Sequence, residues 1–318
     1  MCTLFWTVDN HPKYKFVFAA NRDEYLKRPT LLASWWNPNI LSGLDLLASD
    51  QGTWLGINRY GKFAALTNYR DDHPPPKLLL SRGNIVRSIL ETEDPLHEQF
   101  ESFLNRSDKY GGFNLIASDL SLPIPTINYL ANRGNIGIKE LNKGEIYGLS
   151  NSRLENPWPK VAVGINEMQS ILKESTNESD LVNRLFNLLS VPYKPMTTSL
   201  LEKENYLNYS TFSIRIQKHD RGGSYATRTS TIILVDRDNN VLFVEKNLFD
   251  EDEKVISNDE GQWFRFKFGD LDINCAPNSA HDLQSTDLLK IITFNLHQSI
   301  KIWVYNDKNY PSVLWFKV

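Results

Sequence analysis

The sequence predicts an α+β fold in which antiparallel sheets are covered by helices. Apolar segments of strand length are joined by hairpin turns. Strands and helices come in blocks rather than in βαβ alternation, and no internal repeat or long linker interrupts the chain. With 318 residues, 41% hydrophobic and 23% charged, the chain can bury a sizeable core and is not broadly disordered.

The elements follow in order. Residues 3–8 are β-branched and aromatic, Asp9, Asn10, His11 and Pro12 have turn chemistry, and 15–20 complete a hairpin. Strands are expected at 41–49, 53–58 and 62–68, the last two joined through Arg59, Tyr60 and Gly61, where glycine supplies a positive φ. The run from Asp71 to Pro76 breaks regular structure. Ser81 is placed to cap a helix with Ile85, Ile89 and Leu90 on one face. Asp94 and Pro95 open a second helix bearing Leu96, Phe100, Phe103 and Leu104. Strands are expected at 113–118, 127–132 and 146–149. Helices follow from Pro157, Trp158 and Pro159 through Leu172, and over 179–189. Strands return at 211–217, 229–235, 241–245 and 262–268. The acidic run 250–253 is a solvated loop. The expected organisation is one domain, 1–246, with a C-terminal extension, 247–318, packed on it.

Composition narrows the function. A net charge of −3 provides no basic field for nucleic acid. Two cysteines cannot build a disulfide scaffold, which points to a reducing compartment. The start lacks a basic n-region, and no apolar run approaches the ~18 residues of a membrane span. A cytoplasmic, non-secreted protein is expected. Asp9, Asp23 and Glu24 spoil an acid-poor mitochondrial presequence. The six histidines are scattered, with no zinc-site spacing, and there is no phosphate loop, dinucleotide fingerprint or Gly-x-Ser-x-Gly elbow. No metal site is expected and no cofactor is required.

What remains is Cys2. Removal of Met1 would give it a free α-amine, titrating near ~7.7–8.0, beside a thiol near ~8.5. Such an amine can act as general base to its own side chain, without histidine. The alternative is a small residue at a strand start. Asn21, Arg22, Asp23 and Glu24 are expected just after the second strand, beside Cys2 through the hairpin. Arg22 would lower the thiol pKa and Asp23 would hold the amine, or the two form an ordinary ion pair. Asn68 and Asn151, each at a strand end, are oxyanion donors or turn formers. Arg228 begins a later strand as a second cation. Trp35 and Trp36 are core or pocket lining.

The tetrad Asn21-Arg22-Asp23-Glu24 resembles the signature of the NRDE family, which includes the transport and Golgi organisation protein 2 group. The likeness extends to Met1-Cys2, Gly52 to Asn58, Leu66 to Arg70, Ser81 to Gly83, Gly112 to Leu115, Tyr147 to Asn151, Pro157 to Val161, Thr227 to Thr231 and Glu245. It covers roughly residues 2–246. One departure is Ala226, where the family usually has glycine. The resemblance implies a four-layer αββα sandwich of two antiparallel sheets, like the N-terminal-nucleophile hydrolases. Its cysteine branch implies Cys2, Arg22, Asp23, Asn68, Asn151 and Arg228 as catalytic residues, with Asn21, Glu24, Trp54 and Arg70 in binding. It also implies a part in Golgi organisation, secretion and haem or lipid homeostasis, with Golgi or mitochondrial association. The pocket would take a small hydrophobic or acyl-containing ligand, and haem is a conceivable cargo. The second implication is a Cys2-dependent amide hydrolase or acyl transferase acting on a non-peptide C–N bond. A scaffold that only binds partners is the third reading.

Overall fold

Two antiparallel sheets face one another and helices cover both outer faces in the computed structural model of the chain. It describes residues 2–47, 51–70, 80–134, 136–192, 210–250, 252–257, 261–270, 292–296, 299–305 and 311–317. Two compact units are present, 1–277 and 278–318.

In the first unit, numbering strands in chain order, one sheet runs β10 (Ile146–Leu149), β1 (Cys2–Val8), β2 (Tyr14–Tyr25), β12 (Ser224–Asp236), β13 (Asn240–Asn247), β14 (Gln262–Lys267). The short β11 (His219–Asp220) pairs with β12. The other sheet keeps chain order throughout: β3 (Thr30–Trp36), β4 (Ile40–Asp45), β5 (Leu55–Asn58), β6 (Lys62–Asn68), β7 (Phe113–Asp119), β8 (Ile127–Ala131), β9 (Gly137–Leu141). All pairings within the two sheets are antiparallel. The second unit is a three-stranded sheet of β15 (Ile292–Leu296), β16 (Ser299–Tyr305) and β17 (Pro311–Lys317).

Strand alternation builds the layers. Leu4, Trp6, Phe16, Phe18 and Ala20 point to the middle, where they meet Ile57, Phe63, Ala65 and Ile116 of the second sheet. Phe5, Val17 and Ala19 point the other way, onto Val161, Met168, Leu181 and Leu185 of α3 (Pro159–Glu174) and α4 (Glu178–Leu189). On the far side, Ile85, Val86, Ile89 and Leu90 of α1 (Gly83–Glu91), with Phe100 and Phe103 of α2 (Leu96–Asn105), cover Ala64, Leu66, Phe113 and Leu115. This is the expected αββα order. Gly164 is where α3 crosses β1 most closely: a Cβ there would lie 2.1 Å from the Phe5 ring. The carboxylate of Glu245, 3% exposed, ties the sheets together by accepting from the Ala33 amide at 2.7 Å.

Several expectations are corrected. The polar tetrad does not follow β2 but lies inside it, because β2 is central, with β1 on one edge and β12 on the other. Residues 211–217 are not a strand: a helical turn ends at 212 and irregular chain follows, with Ile214 and Ile216 buried as single anchors. β3 and β9 were not anticipated. The cap of α4 is Asn177, whose side chain accepts from the Asp180 amide at 3.0 Å, two residues before the expected start. Ser81 does not cap α1 with its side chain, since Arg82 occupies the cap position. The 246/247 boundary does not coincide with the units, because β14 pairs with β13 and the first unit runs to 277. The break at 71–76 lies outside the described residues. Trp35 packs on Phe266 and Trp36 donates to Ser42, so both are core-bound.

Candidate functional site

Cys2 and Arg22 are directly opposite each other across the β1–β2 pair. Both share the parity of Leu4 and Ala20, so they continue the inter-sheet face beyond the apolar layer. Here the layer gives way to a cavity of about 770 Å³. Its wall includes Cys2, Arg22, Asp23 and Glu24 from the first sheet, with Leu66 and Asn68 from the second and Trp54 and Arg70 from the chain flanking its strands. Arg28, Asp45, Arg82, Asn151 and Arg221 also line it, beside Tyr25, Tyr69 and Tyr225. Glycine shapes one side: a Cβ on Gly52 would fall 2.5 Å from the Gly83 carbonyl carbon, so only glycine lets this loop meet the start of α1.

Arg22 is 5% exposed, and its guanidinium stacks on Trp54 at 4.0 Å. It donates to Thr30 Oγ1 at 3.2 Å and lies 3.9 Å from Glu24 and 3.7 Å from Asp45. Arg28 pairs with Asp45 at 2.7 Å. Burial pulls the Arg22 pKa down, while Glu24, Cys2 and Asp45 oppose that shift. Burial raises the Cys2 thiol pKa; the N-terminal amine foremost and then Arg22 oppose the rise, and Asp23 adds to it. The thiol is therefore protonated at neutral pH.

Asn151 holds the start of β1. Its Oδ1 accepts from the Cys2 nitrogen at 3.3 Å and its Nδ2 donates to the Asn68 carbonyl at 2.6 Å. Ser150 Oγ donates to the Cys2 carbonyl at 2.7 Å. The acceptor facing the residue-2 nitrogen is thus Asn151, where Asp23 was expected. Asn68 is exposed at the end of β6 and borders the cavity.

Asp23 has the other parity of β2 and still borders the cavity. It is 2% exposed and accepts from Thr227 Oγ1 at 2.6 Å. Burial raises its pKa, and Lys160 is the foremost opposing charge. Lys160, 1% exposed, has its own pKa lowered by burial to about 8, with Asp23 and then Cys2 opposing the fall.

Two expected residues are placed elsewhere. Asn21 donates to the carbonyls of Leu189 and Ile214 and accepts from Ser230 Oγ, joining β2 to the helix layer away from the cavity. Arg228 sits in a β12 bulge, between Thr227 opposite Asp23 and Thr229 opposite Arg22. It donates to the Arg28 carbonyl and Thr30 Oγ1, behind the wall rather than on it. Sequence reasoning gave no role to Lys160, Thr227 or Ser150, although all three stand inside the motif blocks. Their signal was a polar residue within an otherwise apolar strand or helix start. Among the described residues, no group of three His, Cys, Asp or Glu could hold a metal ion, and no helix is long and apolar enough to cross a membrane.

Residues 1–250 match the family described as Transport and Golgi organisation 2. The chain is 36% identical over 272 residues to the Homo sapiens Transport and Golgi organization protein 2 homolog, covering 79% of this chain and 95% of that one. It is 30% identical over 267 residues to the Drosophila melanogaster Transport and Golgi organization protein 2, covering 78% and 92%. A solved structure similar to it is the Caenorhabditis elegans ortholog of N-acylethanolamine-hydrolyzing acid amidase, with 12% identity, a TM-score of 0.41 and coverage of 74% and 92%. Another is a mutant conjugated bile acid hydrolase from Clostridium perfringens, with 9% identity, a TM-score of 0.40 and coverage of 91% and 100%. The family match and the sequence identities establish that this chain belongs to the Transport and Golgi organisation 2 family.

Proposed function

We propose that the cavity beside Cys2 binds an acyl-bearing amphiphile with an acidic end, and that this binding serves Golgi organisation, secretion and lipid or haem homeostasis. The observation that carries the reading is the mixed wall. Trp54, Leu66 and Leu80 offer apolar surface beside Arg22, Arg28, Arg70, Arg82 and Arg221. A bare hydrocarbon would strip water from the exposed guanidinium of Arg70 without replacing it, whereas a carboxylate or similar anion would engage it. Haem, with its carboxylates, falls in this class, and Cys2 or a wall tyrosine would be its available iron ligand. No histidine lines the cavity among the described residues.

Thermal shift with a long-chain fatty acid and the matching fatty alcohol tests the reading. The acid should raise Tm by several degrees and the alcohol should not. Arg70→Gln should weaken acid binding by about tenfold, as expected for one charge-assisted contact. Equal binding of acid and alcohol, indifferent to Arg70→Gln, would discard it. Haem titration giving no saturable Soret shift would discard the haem version alone.

Acyl transfer is the second reading, favoured by the Cys2 nitrogen held at Asn151 and by Asn68 bordering the same cavity. With Met1 removed, the α-amine would take the thiol proton as sulfur attacks an amide carbonyl. Asn68 would donate to the oxyanion, and the departing amine would receive the proton, leaving a thioester that water hydrolyses. Burial keeps the thiol protonated and Asn151 is engaged in holding backbone, so binding ranks first. An acyl adduct on Cys2 in intact-mass analysis supports transfer. Cys2→Ala should abolish the adduct and leave fatty-acid binding in place.

A further inference from the structure

Arg22 and Arg28 both reach the cavity wall, and both already face carboxylates of this chain. Asp45 ends β4, opposite Thr30 of β3. Its Oδ2 accepts from Arg28 Nε at 2.7 Å and lies 3.7 Å from Arg22 Nη2. Its Oδ1 accepts from the Leu47 amide at 3.1 Å, which fixes the carboxylate in place. Glu24 completes the group: its Oε2 is 3.9 Å from Arg22 and 3.8 Å from Arg28, and its Oε1 accepts from the Tyr25 amide. Arg22 Nη1 donates to Thr30 Oγ1, and its flat face lies on Trp54. Two guanidinium groups and two carboxylates therefore balance one another on the wall. A third cation, Arg228, donates to the Arg28 carbonyl and Thr30 Oγ1 behind it.

The other wall arginines are placed differently. Arg82 donates to the Gly112 carbonyl at 3.0 Å, and Arg221 lies over the Tyr225 ring at 5.5 Å. Arg70 is exposed and forms no ion pair among the described residues. An anion that sought Arg22 or Arg28 would displace Asp45 or Glu24, or sit beside them against like-charge repulsion. Arg70 takes an anion without either cost.

We infer that Asp45 is a specificity-determining residue, an internal anion that with Glu24 occupies Arg22 and Arg28 and so limits the cavity to a ligand with one anionic end. A single-headed amphiphile fits, with its acid at Arg70. One that is acidic at both ends would bring its second carboxylate to a wall whose charges are already matched. The inference rests on the anion-binding reading of this cavity.

The test compares dodecanoate with dodecanedioate, chains of equal length with one and two carboxylates, by calorimetric titration of the full chain at pH 7. The parent should bind the monoacid about tenfold more tightly. In Asp45→Asn, whose amide oxygens still accept from Arg28 and Leu47, that preference should shrink about tenfold as guanidinium charge is released. Equal binding by the parent, or an unchanged preference in the variant, would overturn the inference. Glu24→Gln should shift the preference in the same direction and serves if Asp45→Asn fails to fold.

A second readout needs no cargo. In a Cys275→Ser background, the rate of Cys2 alkylation by anionic iodoacetate is divided by the rate for neutral iodoacetamide, which cancels the thiolate fraction. Asp45→Asn should raise this ratio several-fold, because Arg22, directly opposite Cys2, is left less compensated. An unchanged ratio would also overturn the inference. If neither acid binds the parent while the ratio rises, the cargo reading fails and the charge balance set by Asp45 stands.

Discussion

Lys15 on β2 and Lys160 on α3 are equally buried, each 1% exposed, yet they are satisfied in opposite ways. Lys15 reaches past the sheet to donate to the Leu122 carbonyl at 2.9 Å and to Asn239 Oδ1. Its two acceptors are neutral, and it ties two turns to a strand start. Lys160 has no such acceptor among the described residues, and its ammonium lies 5.6 Å from the centre of the Trp158 ring. Burial lowers both pKa values. A buried lysine with hydrogen bonds is a structural clamp, whereas one buried without an acceptor gives up its proton more readily.

The sharpest way to break this comparison is alkaline pH. The Lys160 pKa is lowered from 10.5 to about 8 in the fold. Between those values the unfolded chain keeps a proton that the folded chain has released, so stability from this group rises with pH across the window. At about 1.4 kcal/mol per unit the gain approaches ~3 kcal/mol, and the difference between parent and Lys160→Met in urea titrations should show it. Lys15→Met should reproduce little of that pH dependence. Instead it should cost ~2 kcal/mol at neutral pH by orphaning two acceptors, and Asp23→Asn should not relieve the loss.

A smaller effect separates the two faces of β2. In a Cys275→Ser background, Arg22→Leu should slow iodoacetamide alkylation of Cys2 about tenfold at pH 8, because a cation that favours the thiolate is gone. Asn21→Ala, on the other face, should destabilise the fold and leave the alkylation pH profile unchanged. The smallest change expected is Thr227→Val, ~1 kcal/mol from the lost bond to Asp23. Its stability deficit should narrow as pH falls: with its pKa pushed higher still, Asp23 contributes least where the carboxylate must form. A deficit that is flat with pH would detach Thr227 from the ionisation of Asp23.

Most of this fold was legible because alternation and hairpin chemistry are local. The first hairpin, β5 to β8 and all four helices follow from their own residues. The tetrad at 21–24 was misplaced because four polar residues look like a strand end. A central strand tolerates them only when both faces supply partners, and those partners, Leu189, Thr227, Trp54 and Lys160, are far along the chain. Residues 211–217 failed for the converse reason: Ile214 and Ile216 alternate like a strand but serve as anchors in irregular chain, and the Ile214 carbonyl accepts from Asn21. The membership of Cys2, Arg22, Glu24, Asn68, Trp54 and Arg70 in one cavity wall was within reach of motif order. Which way each side chain faces was not, and that decided the different placing of Asn21 and Arg228.

The two-residue alternation of β2 also bears on which chain-length changes the protein can survive. Adding or removing one residue in the turn at 9–13 leaves every side chain of the strand on its own side. The same change between Phe18 and Asn21 would exchange the sides for the whole tetrad. Arg22 and Glu24 would enter the dry helix layer, and Asn21 would enter the cavity. Single-residue insertions and deletions should therefore be tolerated up to the hairpin turn and eliminated abruptly beyond it, a boundary set by parity rather than by distance from Cys2.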